Sequence, residues 1–392
     1  MTGSGRFMRK ATASIILATA LLAVMAAPSV RAADFETRAK YAYLVDSRSG
    51  KVFFDKRADE LMSPASMSKI MTMVVVFELL KKGVISEDDE FEISENAWRK
   101  GGAPSGSSTM YAKIGERIKL RDLIRAVIIA SANDAAIAIA EGISGSEDAF
   151  AALMTKRARE LGLEKSTFAN ATGLPDPKHK MTARELAQLT RYLIEVFPEY
   201  YRIFSEKEFT WNKIRQFNRD PLLGRYPGAD GVKTGHTKES GYGMVASAVR
   251  DGRRLIAVLN GMKSKKERAV ETRKLLDWGF RQFKPVVLYG PGETVGFARV
   301  WGGVSDKVAL MTKDTVRARL SDEERRNADA EVVYEGPLRA PVRRGDKVGK
   351  LRIRVDGRTI AYYPLYAAKS VEAKDSMWSK AADTLKFWVF GG

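Results

Sequence analysis

Hydrophobic positions along the chain change period several times, and each change predicts an element. Tyr41–Asp46 and Lys51–Asp55 read as two strands about Ser47-Arg48-Ser49-Gly50, a β-hairpin. Ile70, Met73, Val74 and Phe77 then recur at helical spacing, predicting a helix from about Ser66 to Lys82. Leu120–Ala130 reads as an apolar helix, and Glu147–Leu161 as another that Gly162 stops. Thr182 and Glu185 form a capping box ahead of Leu186, Leu189 and Leu193. Tyr242–Arg250 and Arg253–Asn260 flank Asp251-Gly252, a hairpin with a primed turn, before a helix over roughly Lys266–Phe283. Strands at both ends with helices between them predict one α+β domain with an antiparallel sheet over residues 33–284.

After Lys284-Pro285 the runs shorten. Val286–Leu288, Lys307–Met311, Val316–Leu320, Glu331–Tyr334, Lys350–Val355 and Thr359–Tyr363 predict a small all-β domain over 285–366. Helical spacing returns over 367–392. Val371, Trp378, Ala382, Leu385 and Val389 form an apolar stripe, while Ser376, Ser379, Lys380 and Asp383 face away. That is the pattern of an amphipathic helix lying on a membrane surface. At the other end, Arg6, Arg9 and Lys10 precede an apolar run from Ala13 to Ala27, and Val30-Arg31-Ala32 closes it. Residues 1–32 are therefore expected to be an export signal.

Composition narrows the chemistry. The 392 residues contain no Cys, which removes thiol nucleophiles, disulfides and thiolate metal sites together. The two histidines, His179 and His236, are too far apart for H-E-x-x-H, and no G-x-S-x-G occurs, so neither a zincin nor an α/β-hydrolase elbow is expected. No metal and no cofactor are called for. Lys and Arg total 66 against 48 Asp and Glu, for a net charge of +18. The excess is spread along the chain with no aromatic-basic strip, which argues against nucleic acid. Anionic lipid, wall polymer or a carboxylate substrate fits better.

Three short motifs supply the chemistry. In Ser66-Met67-Ser68-Lys69, the single S-x-x-K of the chain, Ser66 and Lys69 share a helix face. A serine hydroxyl needs a nearby base, and a lysine of depressed pKa can serve. The start of that helix also offers the Ser66 N–H to an oxyanion. Ser131-Ala132-Asn133 ends the apolar helix; its hydroxyl can relay a proton and Asn133 can hold a substrate amide. Ser94-Glu95-Asn96 has the same spacing but follows a solvated acidic run. In Lys233-Thr234-Gly235-His236-Thr237, Lys233 and Thr234 suit a carboxylate, Gly235 permits close approach, and the His236 N–H completes an oxyanion hole.

Taken in that order, the motifs resemble the S-x-x-K, S-x-N and K-T-G set of β-lactamases and penicillin-binding proteins. The longer stretches Pro64–Thr72, Ser131–Ala135, Gly231–Thr237 and Phe168–Leu174 resemble the D-alanyl-D-alanine carboxypeptidases, the low-molecular-mass class C penicillin-binding proteins. The resemblance implies a β-lactamase/transpeptidase-like serine hydrolase domain, with terminal D-Ala removed from peptidoglycan stem pentapeptides through an acyl-enzyme at Ser66. It also implies that β-lactams acylate the same serine. Lys69 would be the base, Ser131 and Asn133 would complete the site, and Lys233, Thr234 and Arg268 would hold the terminal carboxylate. Ala132 stands where the β-lactamase motif has Asp, and no E-x-x-L-N precedes Lys233, so efficient β-lactam hydrolysis is not expected. A DD-endopeptidase, a β-lactamase and a catalytically retired wall-binding scaffold remain as alternatives.

Overall fold

The computed structural model describes residues 35–374. The first domain is built on a five-stranded antiparallel sheet. Its strands are β1 (Tyr41–Asp46), β2 (Val52–Lys56), β3 (Ala229–Thr237), β4 (Gly241–Arg250) and β5 (Arg253–Met262), in the spatial order β2-β1-β5-β4-β3. The N-terminal hairpin thus pairs with the last strand of the domain, and β3 is left as a free edge. The β4–β5 turn has Asp251 at φ 50° and Gly252 at φ 74°, the left-handed pair that a primed hairpin turn requires.

Side-chain alternation sends the two faces of this sheet to different partners. Tyr43, Val45, Ile256 and Val258 join the main core with the helices Lys69–Lys81 (α1), Asn133–Ser144 (α2) and Ala183–Val196 (α3). On the opposite face Leu44 and Leu255 meet the helix Lys265–Arg281 (α4). There a Cβ on Gly279 would lie 2.5 Å from the Leu44 side chain, so the missing side chain lets helix and sheet close up.

Two of the expected helices are divided. Residues 65–68 form a tight 3₁₀ turn before α1 begins at Lys69. Pro64 starts that turn, and the Ser68 hydroxyl donates to the Ala65 carbonyl at 3.0 Å, holding the chain in the narrower winding. The expected helix Leu120–Ala130 is α-helical only to Arg125; Ala126–Ala130 widen into a π-type turn that ends at Ser131, φ 60°. The N–H groups of both Ser131 and Ala132 return to the Ala126 carbonyl. At Thr182 the cap is half of the expected box. Its hydroxyl accepts from Glu185 N, but the Glu185 carboxylate turns to Lys165 N and the Ser166 hydroxyl.

The second domain has a two-stranded ribbon and a six-stranded sheet among the described residues. The ribbon pairs Lys284–Tyr289 with Val316–Leu320. The sheet includes Thr294–Trp301, a strand the sequence pattern does not predict because Gly296 interrupts its alternation. Residues 368–374 correct the expected tail: they run extended rather than helical. Val371, placed on the expected apolar stripe, instead bridges Val342 and is buried against Val300 and Gly303. Residues 375–392, like the expected export signal, lie outside the described residues. Ionic contacts join the two domains: Lys51 with Glu323 at 2.5 Å, Arg253 with Glu324 at 3.0 Å and Arg319 with Asp251 at 2.8 Å.

Candidate active site

The 3₁₀ turn, the π-type turn and the free edge of the sheet meet around a cavity of about 650 Å³. Ser66, Ser131, Asn133, Thr234, Gly235, His236 and Arg268 all line it, so residues far apart in sequence share one wall. Lys69 and Lys233 are buried, at 1% and 3% exposure. At Gly235 a Cβ would lie 2.8 Å from the Pro64 carbonyl and 3.1 Å from Ala65 Cβ, so glycine there lets β3 press against the turn carrying Ser66.

Lys69 Nζ lies 3.0 Å from Ser66 Oγ, 2.6 Å from Asn133 Oδ1 and 2.6 Å from the Thr172 carbonyl oxygen. The last two atoms can only accept. A neutral amine therefore donates its two N–H bonds to them and keeps its lone pair for the Ser66 hydroxyl proton. Burial is the chief cause that pulls the Lys69 pKa down to about 7, and the nearby Arg219 charge adds to it. Asn133 is held in turn, donating from Nδ2 to Ser107 Oγ at 3.0 Å. Ser131 reaches the cavity because its left-handed backbone ends the π-type turn there.

The cationic side of the cavity is equally built. Burial depresses the pKa of Lys233 well below its ordinary value, with Lys69, Arg219 and Arg268 adding to the effect. Arg268 is buried with its Nε unpartnered among the described residues, faces Tyr242 at 5.8 Å and lines the cavity. Of the other cations near Arg268 in sequence, Lys265 also lines this cavity, whereas Lys263 lines a neighbouring one. The duplicate S-x-N is structural. Ser94 caps the helix Glu95–Gly101 and, with Asn96, bonds to Glu141.

Sequence reasoning missed three contributors. Arg219 lines the cavity, donates to Ser108 Oγ at 2.5 Å and lowers the pKa of Lys69, Lys233 and Arg268, but it sits in a turn that carries no motif. Ser107 supports Asn133 from a loop of ordinary composition. The third is a backbone atom, the Thr172 carbonyl. The Phe168–Leu174 stretch was singled out by resemblance, and its geometry explains the sequence. Asn170 Oδ1 accepts from the N–H groups of Thr172 and Gly173, and Gly173 has φ 78°. A Cβ on Gly173 would overlap the Ala65 carbonyl at 2.0 Å.

A serine paired with a buried, near-neutral lysine, beside a free strand edge and a cationic pocket, is equipped for acyl transfer from a peptide ending in a carboxylate. This is the chemistry of a serine hydrolase. A family model described as D-alanyl-D-alanine carboxypeptidase matches residues 26–264, and one described as penicillin-binding protein 5, C-terminal domain, matches residues 283–373. D-alanyl-D-alanine carboxypeptidase DacC of Escherichia coli (strain K12) is 41% identical over 332 residues, 84% of this chain and 83% of its own. Penicillin binding protein 5 from Haemophilus influenzae has a TM-score of 0.64 at 35% identity, covering 86% of this chain and 98% of that one. Penicillin-binding protein D2 from Listeria monocytogenes, solved in an ampicillin-bound form, has a TM-score of 0.57 at 29% identity, covering 63% and 99%. The chain belongs to the D-alanyl-D-alanine carboxypeptidase family.

Proposed function

We propose that Ser66 attacks the carbonyl of the penultimate D-Ala in a peptidoglycan stem pentapeptide, releasing the last D-Ala and leaving an acyl-enzyme that water clears. The observation that carries this reading is the three-point hold on Lys69 Nζ, which leaves its lone pair for Ser66. Lys69 takes the serine proton, and Ser131, across the cavity, passes a proton to the departing amine. The N–H groups of Ser66 and His236 face the developing oxyanion, and Asn133 holds the substrate amide. Lys233, Thr234 and Arg268 bind the terminal carboxylate, with Gly235 giving the substrate room along β3. The ampicillin-bound relative supports β-lactam binding, and acylation of Ser66 by a β-lactam is part of this proposal.

The test is mass spectrometry of the products from a stem pentapeptide, beside labelling with a fluorescent penicillin. A tetrapeptide plus free D-Ala, with one label on Ser66, is expected; an intact pentapeptide with labelled protein would overturn the carboxypeptidase assignment.

We further propose that the protein is exported and held at the outer face of the inner membrane through residues 375–392. Trp378, Leu385 and Val389 on one stripe support surface attachment. Because Val371 belongs to the β domain, the informative truncation follows Lys374. That protein should fractionate as soluble and still cleave small peptides; full-length protein in the soluble fraction at low salt would sink the anchor.

A further inference from the structure

A second cavity, of about 530 Å³, adjoins the first at the end of the sheet. The two share His236, Thr237 and Tyr242. His236 and Tyr242 face each other across the β3–β4 pair, and their rings stack at 3.9 Å between centroids, forming the partition. The second cavity is cationic at its rim. Lys40, Lys238 and Lys263 line it and are exposed, and none of the three ammonium groups forms a salt bridge among the described residues, although the Lys263 backbone N–H bonds to the Glu267 carboxylate at 2.7 Å and Lys40 lies close enough to Glu60 to lower its pKa. A fourth lysine, Lys180, is already neutralised by Glu239 at 2.9 Å.

The direction of the substrate decides what reaches this rim. With the terminal carboxylate at Thr234 and Arg268 and the reacting carbonyl at Ser66, the upstream residues leave along β3 toward Thr237. At roughly 3.3 Å per extended residue, two to four residues carry the chain past the stacked rings to the β3–β4 turn. We propose that this cavity is a substrate subsite for an acidic residue two to four positions upstream of the scissile bond, its carboxylate attracted by Lys40, Lys238 and Lys263. The inference rests on the carboxypeptidase reading above.

Three substrates separate the two claims: a pair of pentapeptides ending in D-Ala-D-Ala that differ only by Glu or Gln at the upstream position, and an acylated D-Ala-D-Ala dipeptide too short to reach the second cavity. The full-length protein should prefer the Glu peptide by about threefold to tenfold in kcat/KM at low salt, as expected for a few exposed charges, and less at high salt. The triple variant Lys40→Gln, Lys238→Gln, Lys263→Gln should treat both pentapeptides alike and cleave the dipeptide at the wild-type rate. Lys238→Glu alone, should the triple variant not fold, should lower the Glu/Gln ratio and leave the dipeptide untouched. Equal wild-type rates on Glu and Gln, or a ratio that survives these substitutions, overturns the subsite while dipeptide cleavage upholds the carboxypeptidase. No D-Ala from any substrate overturns both.

Discussion

Ser66→Ala is expected to release no D-Ala and to take no covalent penicillin label, a loss of at least about 10⁴-fold in kcat/KM. Lys69→Ala should fall almost as far, since a nucleophile and its base act as a unit. Lys69 Nζ is 3.0 Å from Ser66 Oγ and has no other hydroxyl to activate among its partners. Full labelling of Ser66→Ala would refute the nucleophile. The same pair sets a pH dependence. With the Lys69 pKa pulled down to about 7, the amine is protonated below that pH and cannot accept the serine proton. The acid limb of kcat/KM should therefore rise through about pH 7. Arg219→Gln removes a positive neighbour that helps depress Lys69, so the limb should move to higher pH. A profile unmoved by that substitution would show that burial alone tunes the lysine.

Amidating the substrate's C-terminus should lower kcat/KM by roughly 30- to 1,000-fold, the equivalent of about 2–4 kcal/mol of charge-assisted bonding. Thr234 and Arg268 line the cavity, with Lys233 buried behind Thr234, and the proposed carboxylate site is made of these three. Arg268 also keeps a buried Nε without a partner, a donor that a ligand can satisfy. Arg268→Ala should narrow the gap between acid and amide substrates, mostly by slowing the acid. Equal rates for acid and amide in the wild type would refute a carboxylate-reading site and favour an endopeptidase, whose substrates bring a longer leaving group.

Much of this was legible in the sequence where local chemistry decides the outcome. Asp251-Gly252 supplies both left-handed residues of its turn, and Ser66 with Lys69 needs only one turn of helix to come together. What stayed hidden depends on the rest of the chain. Ala126–Ala130 merely continue an apolar helical run; only the return of two N–H groups to Ala126 turns Ser131 into the cavity. Thr172 contributes a carbonyl, which every residue possesses. Arg219 acts through space on three other cations, and no spacing rule reports that. The tail shows the opposite failure. Val371 obeys a helical stripe, yet residues 368–374 find unpaired backbone at Val342 and Gly303 and join the β domain. A period of apolar residues says which side is buried, not against what.

The gathering of Lys233, Arg219 and Arg268 around one cavity, beside a Lys69 that works as a neutral amine, has a consequence for the enzyme at rest. Positive groups crowded into one partly buried cavity repel one another, and the folded chain bears that repulsion until an anion enters. Any anion that enters relieves it, whether substrate, product or buffer. Tightness of binding is then partly the release of tension already present in the protein, and occupied enzyme is harder to unfold than empty enzyme. Sulfate or phosphate in the medium therefore acts as both stabiliser and competitor, and activity and melting temperature move in opposite directions as its concentration rises.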